Sequence, residues 1–591
     1  MMINVHSIPE SGNTDPRRCV TVRAAVLFFA VSLVALYPDQ HCVPQSRASA
    51  GRIARAPHAM VVTASPLATD IGVRVLRSGG NAVDAAVAVG FALAVTYPSA
   101  GNIGGGSFIL IRMADGREAV IDARETAPAA ARPDMFLDSA GRVIPGASLE
   151  GPLAAGVPGT VDGLLQALER YGTMTRAELI RPAVDLARKG WVLPLETVRL
   201  FERLRPSFER YPSSSRVFTR SGRPYRRGER FRQPDLACTL ERIVRQGRDG
   251  FYRGETADLI VRQMREGGGV ITHEDLASYR CIVRRPLHAR WHGYDILTVP
   301  PPSAGGAAFL QALNILEAGE GNEEPIYGSA RYIHLMAEAL RFAFSDRWKF
   351  FGDPAFVDVP LDSLLSEETA RRIRSRIRLD RTSPLLPVGG AGCIDGEKNQ
   401  TTHYSIADKW GNAVAVTTTL NDVCGSKCVV EGAGFLLNNE MDDFSIRIGE
   451  PNQFGLAGSP CNVIRPGKRM VSSMTPVIVV KNDRPVFILG SPGGSRIVST
   501  VLQVFRNVLE HGMALDSAVA APRVHHQWRP DTLYYEEDSI PAEVADTLRA
   551  MGHALVPTRP FGRIDAVLYN GRARLYEGCS DPRGNGSAAG Y

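Results

Sequence analysis

The sequence predicts an α+β protein on three observations. Apolar residues recur at helical spacing through the first half, strand-like runs crowd the second, and a Pro/Gly-rich break parts them near residue 400. The chain has 591 residues, 44% hydrophobic and 22% charged, which is ordinary for a globular protein and enough for a sizeable core. That length allows several domains or one large body. The net charge of +6 comes from 68 basic residues scattered among 62 acidic ones. The densest basic cluster is Arg220, Arg223, Arg226, Arg227, Arg230 and Arg232, with Tyr225 and Phe231 between. No nucleic-acid-binding module surrounds it, so it reads as a solvated face and no nucleic-acid partner is expected.

At the N-terminus, Arg17, Arg18 and Arg23 precede an apolar run from Ala24 to Tyr37, and Ala48-Ser49-Ala50 follow. This pattern predicts a signal peptide over residues 1–50 and an exported protein, periplasmic or secreted; the alternative is a retained anchor. Cys19 and Cys42 would leave with it, and of the seven remaining cysteines Cys424 and Cys428 are close enough to bridge, though spacing alone does not establish a bond. Neither zinc-ligand spacing nor an EF-hand loop occurs, so no metal or cofactor is expected.

The first element after the signal is a helix over Pro66 to Arg77, with Leu67, Ile71, Val75 and Leu76 on one face and a stop at Gly79-Gly80. Asn81 then caps a second helix with Asp84 in its first turn; it is apolar on most sides and so predicted to be buried. Gly104-Gly105-Gly106 leads into Phe108-Ile109-Leu110-Ile111, a buried strand. Residues 160–375 carry helical patterns, clearest at Ile333, Met336, Leu340 and Phe344. Ser383 to Lys398 reads as a loose linker. Strands follow at Thr401 to Ile406, Ala413 to Thr419, Val477 to Val480 and Pro485 to Leu489, and a helix over Arg496 to Leu509.

The hairpin around Trp410 makes a geometric prediction. A register symmetric about Trp410 sets Thr401 across from Thr419 and Ile406 across from Val414, with cross-strand Cβ atoms about 4.5–5.5 Å apart. Thr419 then orients the Thr401 hydroxyl. The alternative is that Thr401, Thr402, Thr417, Thr418 and Thr419 are only strand formers. A threonine at the start of a chain can use its own α-amine as base, with a pKa of about 7.7–8.0. The hydroxyl can first attack the preceding carbonyl, so Gln400–Thr401 is the candidate cleavage site.

Acyl transfer also needs donors for a developing oxyanion. Gly490-Ser491-Pro492-Gly493-Gly494-Ser495 lies between a strand and a helix start, where the Gly493 and Gly494 amides could face the site. A glycine-requiring turn explains the same residues. The run Asn438-Asn439-Glu440-Met441-Asp442-Asp443-Phe444 suits a substrate ammonium, or equally a surface loop. Arg124 with Ser472-Ser473 could hold a carboxylate.

Together these segments resemble the γ-glutamyltransferase family of N-terminal-nucleophile hydrolases. The resemblance runs from Ala56 to Tyr591 through Asp122-Ala123-Arg124-Glu125, Pro300-Pro301-Pro302-Ser303-Ala304-Gly305-Gly306, Gln400-Thr401-Thr402-His403-Tyr404-Ser405 and Thr417-Thr418-Thr419-Leu420-Asn421. It continues through Asn438 to Phe444, Ser472-Ser473-Met474 and Gly490 to Ser495. It implies a four-layer αββα sandwich and autocleavage into a large subunit (residues 51–400) and a small one (residues 401–591) that stay together as one interwoven heterodimer. It implies Thr401 as nucleophile and base, Thr419 as its orienter, and Gly493 and Gly494 as the oxyanion hole. Asn421, Glu440 and Asp443 would bind the substrate α-amine, and Arg124, Ser472 and Ser473 its α-carboxylate. Glutathione is the implied donor; water, amino acids or peptides are the acceptors. Two residues depart from the family pattern: Cys424 replaces an aromatic residue, and Phe454, in a lid over about Arg447 to Ser459, replaces a tyrosine. Both bear on the balance of hydrolysis against transfer. The rivals are a glutaryl-cephalosporin acylase, a poly-γ-glutamate transpeptidase and a non-catalytic binding relative.

Overall fold

The computed structural model describes residues 52–319, 326–384 and 400–591. The predicted signal peptide, Cys19, Cys42, Cys393 and most of the linker lie outside the described residues. Two seven-stranded antiparallel sheets form the centre. The first runs Ser587–Gly590, Met60–Thr63, Thr401–Ala407, Ala413–Thr419, Gly106–Arg112, Glu118–Ala123, Ile282–Arg284. The second runs Arg52–Ala56, Leu575–Ser580, Asp565–Asn570, Arg484–Leu489, Val477–Lys481, Tyr294–Thr298, Leu287–Trp291.

Successive side chains of a strand point to opposite faces, and here both faces of the first sheet are covered. Ile109, Ile111, Val414, Val416, Tyr404 and Ile406 pack on the helices Pro66–Arg77 and Ala82–Thr96. Their alternates Phe108, Leu110, Ala413 and Ala415 share a core with Ile296, Ile478 and Phe487 of the second sheet. Helices Gly305–Glu317, Ala330–Phe350 and Arg496–Leu509 belong to that second core. The layers are therefore helix, sheet, sheet, helix. Double coverage explains why these strands read as continuous apolar runs rather than alternating ones.

The second helix has the expected capping box: Asn81 Oδ1 accepts from the Asp84 amide, and Asp84 Oδ2 accepts from the Asn81 amide. All fifteen residues of that helix are buried. The division into a helical first half and a stranded second half needs correction. Arg52–Ala56, Met60–Thr63, Glu118–Ala123, Ile282–Arg284, Leu287–Trp291 and Tyr294–Thr298 are strands of the first half. Most are short; Arg52–Ala56, Met60–Thr63 and Ile282–Arg284 pair with segments far along the chain, such as Ala56 against Tyr576, whereas Leu287–Trp291 and Tyr294–Thr298 form a local hairpin; local periodicity does not reveal them. The basic cluster is a surface feature: Arg220 and Arg223 both pair with Glu229. The six described cysteines are free, including Cys424 and Cys428. No described helix is long and apolar enough to cross a membrane.

Candidate active site

The Trp410 hairpin has the predicted register. Thr401 faces Thr419, and Ile406 faces Val414. The Asp408 carboxylate sets it, accepting the Trp410 and Asn412 amides at 2.9 and 3.0 Å and, from the second helix, the Ala82 amide at 2.9 Å. The Thr401 and Thr419 hydroxyls lie 3.2 Å apart. Thr419 Oγ1 also lies 3.2 Å from the Gln400 carbonyl oxygen and accepts the Asn421 amide at 2.9 Å. Thr419 has one hydroxyl proton. When it donates to Gln400, the Thr401 hydroxyl donates to Thr419, giving a line from the candidate nucleophile to the carbonyl of the candidate cleavage site.

A charged cluster lies close by. Fully buried Arg124 directs Nη1 to Glu440 and Nη2 to Asp443, and its Nη1 is 3.6 Å from Glu125. Glu440 and Asp443 occupy one 3₁₀ turn and so present their carboxylates together. Neither oxygen of Glu125 is hydrogen-bonded to another residue, and Glu440 Oε2 has no partner. Burial pushes the Glu125 carboxyl up to about 7 and also raises Glu440 and Asp443, with Arg124 only partly opposing it. Arg347 also faces Asp443, while the Glu125 oxygens and Glu440 Oε2 lack a hydrogen-bond partner among the described residues and are open to a further donor such as an ammonium. Asn421, left-handed at φ 74°, donates its side-chain amide to Asn439 O at 3.0 Å, which leaves its Oδ1 to act as an acceptor. Ser472 and Ser473 are set by the proline motif: Ser303 bridges to Ser472, and the Ser303 hydroxyl donates to Met474 O at 2.6 Å.

The glycine pair lies at the start of the helix Arg496–Leu509, with Gly493 at φ 129° and Gly494 at φ 55°. A side chain on Gly494 would come within 2.5 Å of the Phe454 ring, so the lid rests directly on it. Among the described residues neither the Gly493 nor the Gly494 amide donates to a protein backbone carbonyl. Gly490 packs on His403 of the strand Thr401–Ala407, which ties the glycine loop to that strand. Burial holds His403 down at about 3, so its neutral ring bridges Thr417 and Ser405 at 2.9 and 3.0 Å.

The structure thus brings Thr401, Thr419 and Gln400 together, and Arg124 with Glu440 and Asp443. It departs from the sequence reading in one respect. Arg124 was grouped with the serines, apart from the acidic residues, yet it bonds directly to both carboxylates. Sequence reasoning gave no role to Glu125 or His403, although both stand in motifs already singled out. An acid beside an arginine, and a histidine two residues from the candidate nucleophile, were the available signals. Among the described residues no cluster of metal ligands occurs.

Comparison with known proteins gives a consistent picture. The family model described as gamma-glutamyltranspeptidase matches residues 68–591. A glutathione hydrolase proenzyme of Pseudomonas sp. (strain A14) is 46% identical over 547 residues, covering 91% of this chain and 95% of its own. A cephalosporin acylase from Bacillus halodurans superimposes with a TM-score of 0.79 at 26% identity, covering 94% of this chain and 99% of its own. Helicobacter pylori gamma-glutamyltranspeptidase superimposes with a TM-score of 0.52 at 42% identity, covering 59% of this chain and 95% of its own.

Proposed function

Because the chain belongs to the gamma-glutamyltranspeptidase family, we propose that Thr401 carries the acyl group in its reaction. The protein is a glutathione hydrolase and γ-glutamyltransferase made as a proenzyme that cleaves itself. Processing begins when Thr401 Oγ1 attacks the Gln400 carbonyl carbon, its proton passing to Thr419 and the Thr419 proton to the carbonyl oxygen. Collapse breaks the Gln400 C–N bond, protonates the released amine and leaves an ester. Water then frees the Gln400 carboxylate and the Thr401 hydroxyl, giving subunits 51–400 and 401–591.

In turnover the Thr401 α-amine accepts the hydroxyl proton as Oγ1 attacks the γ-carbonyl of glutathione or another γ-glutamyl amide. The Gly493 and Gly494 amides stabilise the oxyanion, and the α-ammonium returns the proton to the leaving amine. Water, or an amino acid or peptide amine, then attacks the γ-glutamyl ester and gives its proton to the Thr401 α-amine, which passes it to Thr401 Oγ1 as the ester C–O bond breaks. The Asn421, Glu440, Asp443 and Glu125 group receives the substrate ammonium while Arg124, Ser472 and Ser473 receive its carboxylate. Arg124 therefore trades a bond to protein carboxylates for one to substrate. The N-terminal pattern supports export, to the periplasm or beyond.

The unpaired carboxylate oxygens of Glu125 and Glu440 beside Arg124 are the observation that carries this assignment. A glutaryl group lacks the ammonium such a cluster attracts. The test compares γ-glutamyl with glutaryl anilides: the γ-glutamyl compound is expected to have the larger kcat/KM, and preference for glutaryl would overturn the assignment.

A further inference from the structure

A lid has few contacts of its own, so its position must be set from outside. This one folds back through the Gly449 amide donating to Gly458 O at 2.9 Å and the Gly458 amide to Glu450 O at 2.8 Å. Asn452 Oδ1 shapes its tip by accepting the Phe454 and Leu456 amides at 3.0 and 3.2 Å. One edge meets the acidic turn, where Asn452 Nδ2 donates to Asp443 at 3.3 Å and the Gln453 amide to Asp442 at 3.1 Å. The other edge meets residues 525–530. There Gln527, buried, donates Nε2 to the Phe454 carbonyl at 3.0 Å and to Arg529 O at 3.1 Å. Trp348, whose ring is 5.5 Å from that of Trp528, donates its indole N–H to Gly458 O at 3.0 Å.

The proton positions follow from these bonds. Both amide hydrogens of Gln527 go to carbonyls, so its Oε1 is an acceptor toward His525 Nε2 at 3.0 Å, and that nitrogen carries the proton. Burial holds His525 down at about 3, so the ring is neutral and Nδ1 lies 2.9 Å from the Ser499 hydroxyl, whose single proton is shared with the Arg496 carbonyl at 3.0 Å. Ser499 lies in the first turn of the helix Arg496–Leu509, directly after Gly493 and Gly494. A buried line of hydrogen bonds thus runs from the lid tip to the oxyanion helix.

We propose that Gln527 is the positioning residue of the lid, registering Phe454 over Gly494 by tying the lid backbone, through His525 and Ser499, to the helix that carries the oxyanion glycines. The proposal deepens the acyl-transfer reading of this site and rests on it. Phe454 has no hydroxyl with which to make a side-chain latch, so the hold passes through its carbonyl. A lid released at this edge admits water to the γ-glutamyl ester while leaving the Thr401–Thr419 pair untouched.

The test measures amide hydrogen exchange over residues 450–458 in processed wild type, Gln527→Ala and Ser499→Ala. Loss of one buried bond is expected to speed exchange there about tenfold in Gln527→Ala, and less in Ser499→Ala. The KM for γ-glutamyl-p-nitroanilide should rise about three- to tenfold, kcat should change less than KM, and the hydrolysed fraction should grow when glycylglycine is the acceptor. Cleavage at Gln400–Thr401 should proceed as in wild type. Wild-type exchange and KM in Gln527→Ala would overturn the proposal. Should that variant fail to fold, wild-type exchange and KM in Ser499→Ala would do the same. Failure of the functional reading would show separately, as wild-type protein that does not turn over the anilide.

Discussion

Thr419 offers one hydroxyl proton to two acceptors, and its removal isolates that contribution. Thr419→Ala should slow both self-cleavage and turnover about tenfold, the cost of one hydrogen bond, while Thr419→Ser restores most of each. Time courses of chain cleavage and of anilide release check this. Glu125 supplies a pH signature. Its carboxyl is raised to about 7, so it is neutral below that pH and ionised above, and only the ionised form attracts an ammonium. The donor KM should therefore rise as pH falls through 7, and Glu125→Gln should weaken that dependence, Glu440 and Asp443 being raised in the same cluster, with the ionisation of the Thr401 amine read separately in kcat. The Thr401–Thr419 pairing was legible in the sequence because an antiparallel register becomes arithmetic once its turn is found. The Glu125 shift was not, because it comes from burial, and the bonds of Arg124 to Glu440 and Asp443 span more than 300 residues.

At the level of elements, the lid and the proposed oxyanion turn press on each other at one glycine. Gly494→Ala would place a methyl against the Phe454 ring at a backbone angle that side chains rarely adopt. It should lower kcat about 10²- to 10³-fold, as loss of an oxyanion donor does. Steady-state kinetics on the processed protein reads this out. The helix Arg496–Leu509 was legible because a glycine pair and serine precede a strong apolar stripe. The strands Leu287–Trp291 and Tyr294–Thr298 were not. They are short and partly exposed, and they become strands by pairing with each other, Tyr294–Thr298 also with Val477–Lys481.

Over the whole molecule, segments from before and after Thr401 interleave in both sheets. Thr401–Ala407 pairs with Met60–Thr63, Ala413–Thr419 with Gly106–Arg112, and Val477–Lys481 with Tyr294–Thr298. Separating the two pieces would tear strands from the middle of each sheet, so the cut protein should elute as one species under native conditions and resolve into two only in denaturant. The α+β class was legible from local patterning, whereas this interleaving depends on pairings between distant segments. In the proposed mechanism Thr401 becomes a chain terminus and then acts as nucleophile. Intact mass spectrometry of purified wild type and Thr401→Ala tests it most directly. Wild type should give two fragments divided at Gln400–Thr401 and the variant a single, inactive chain; an active wild-type enzyme that remains one chain would rule this mechanism out.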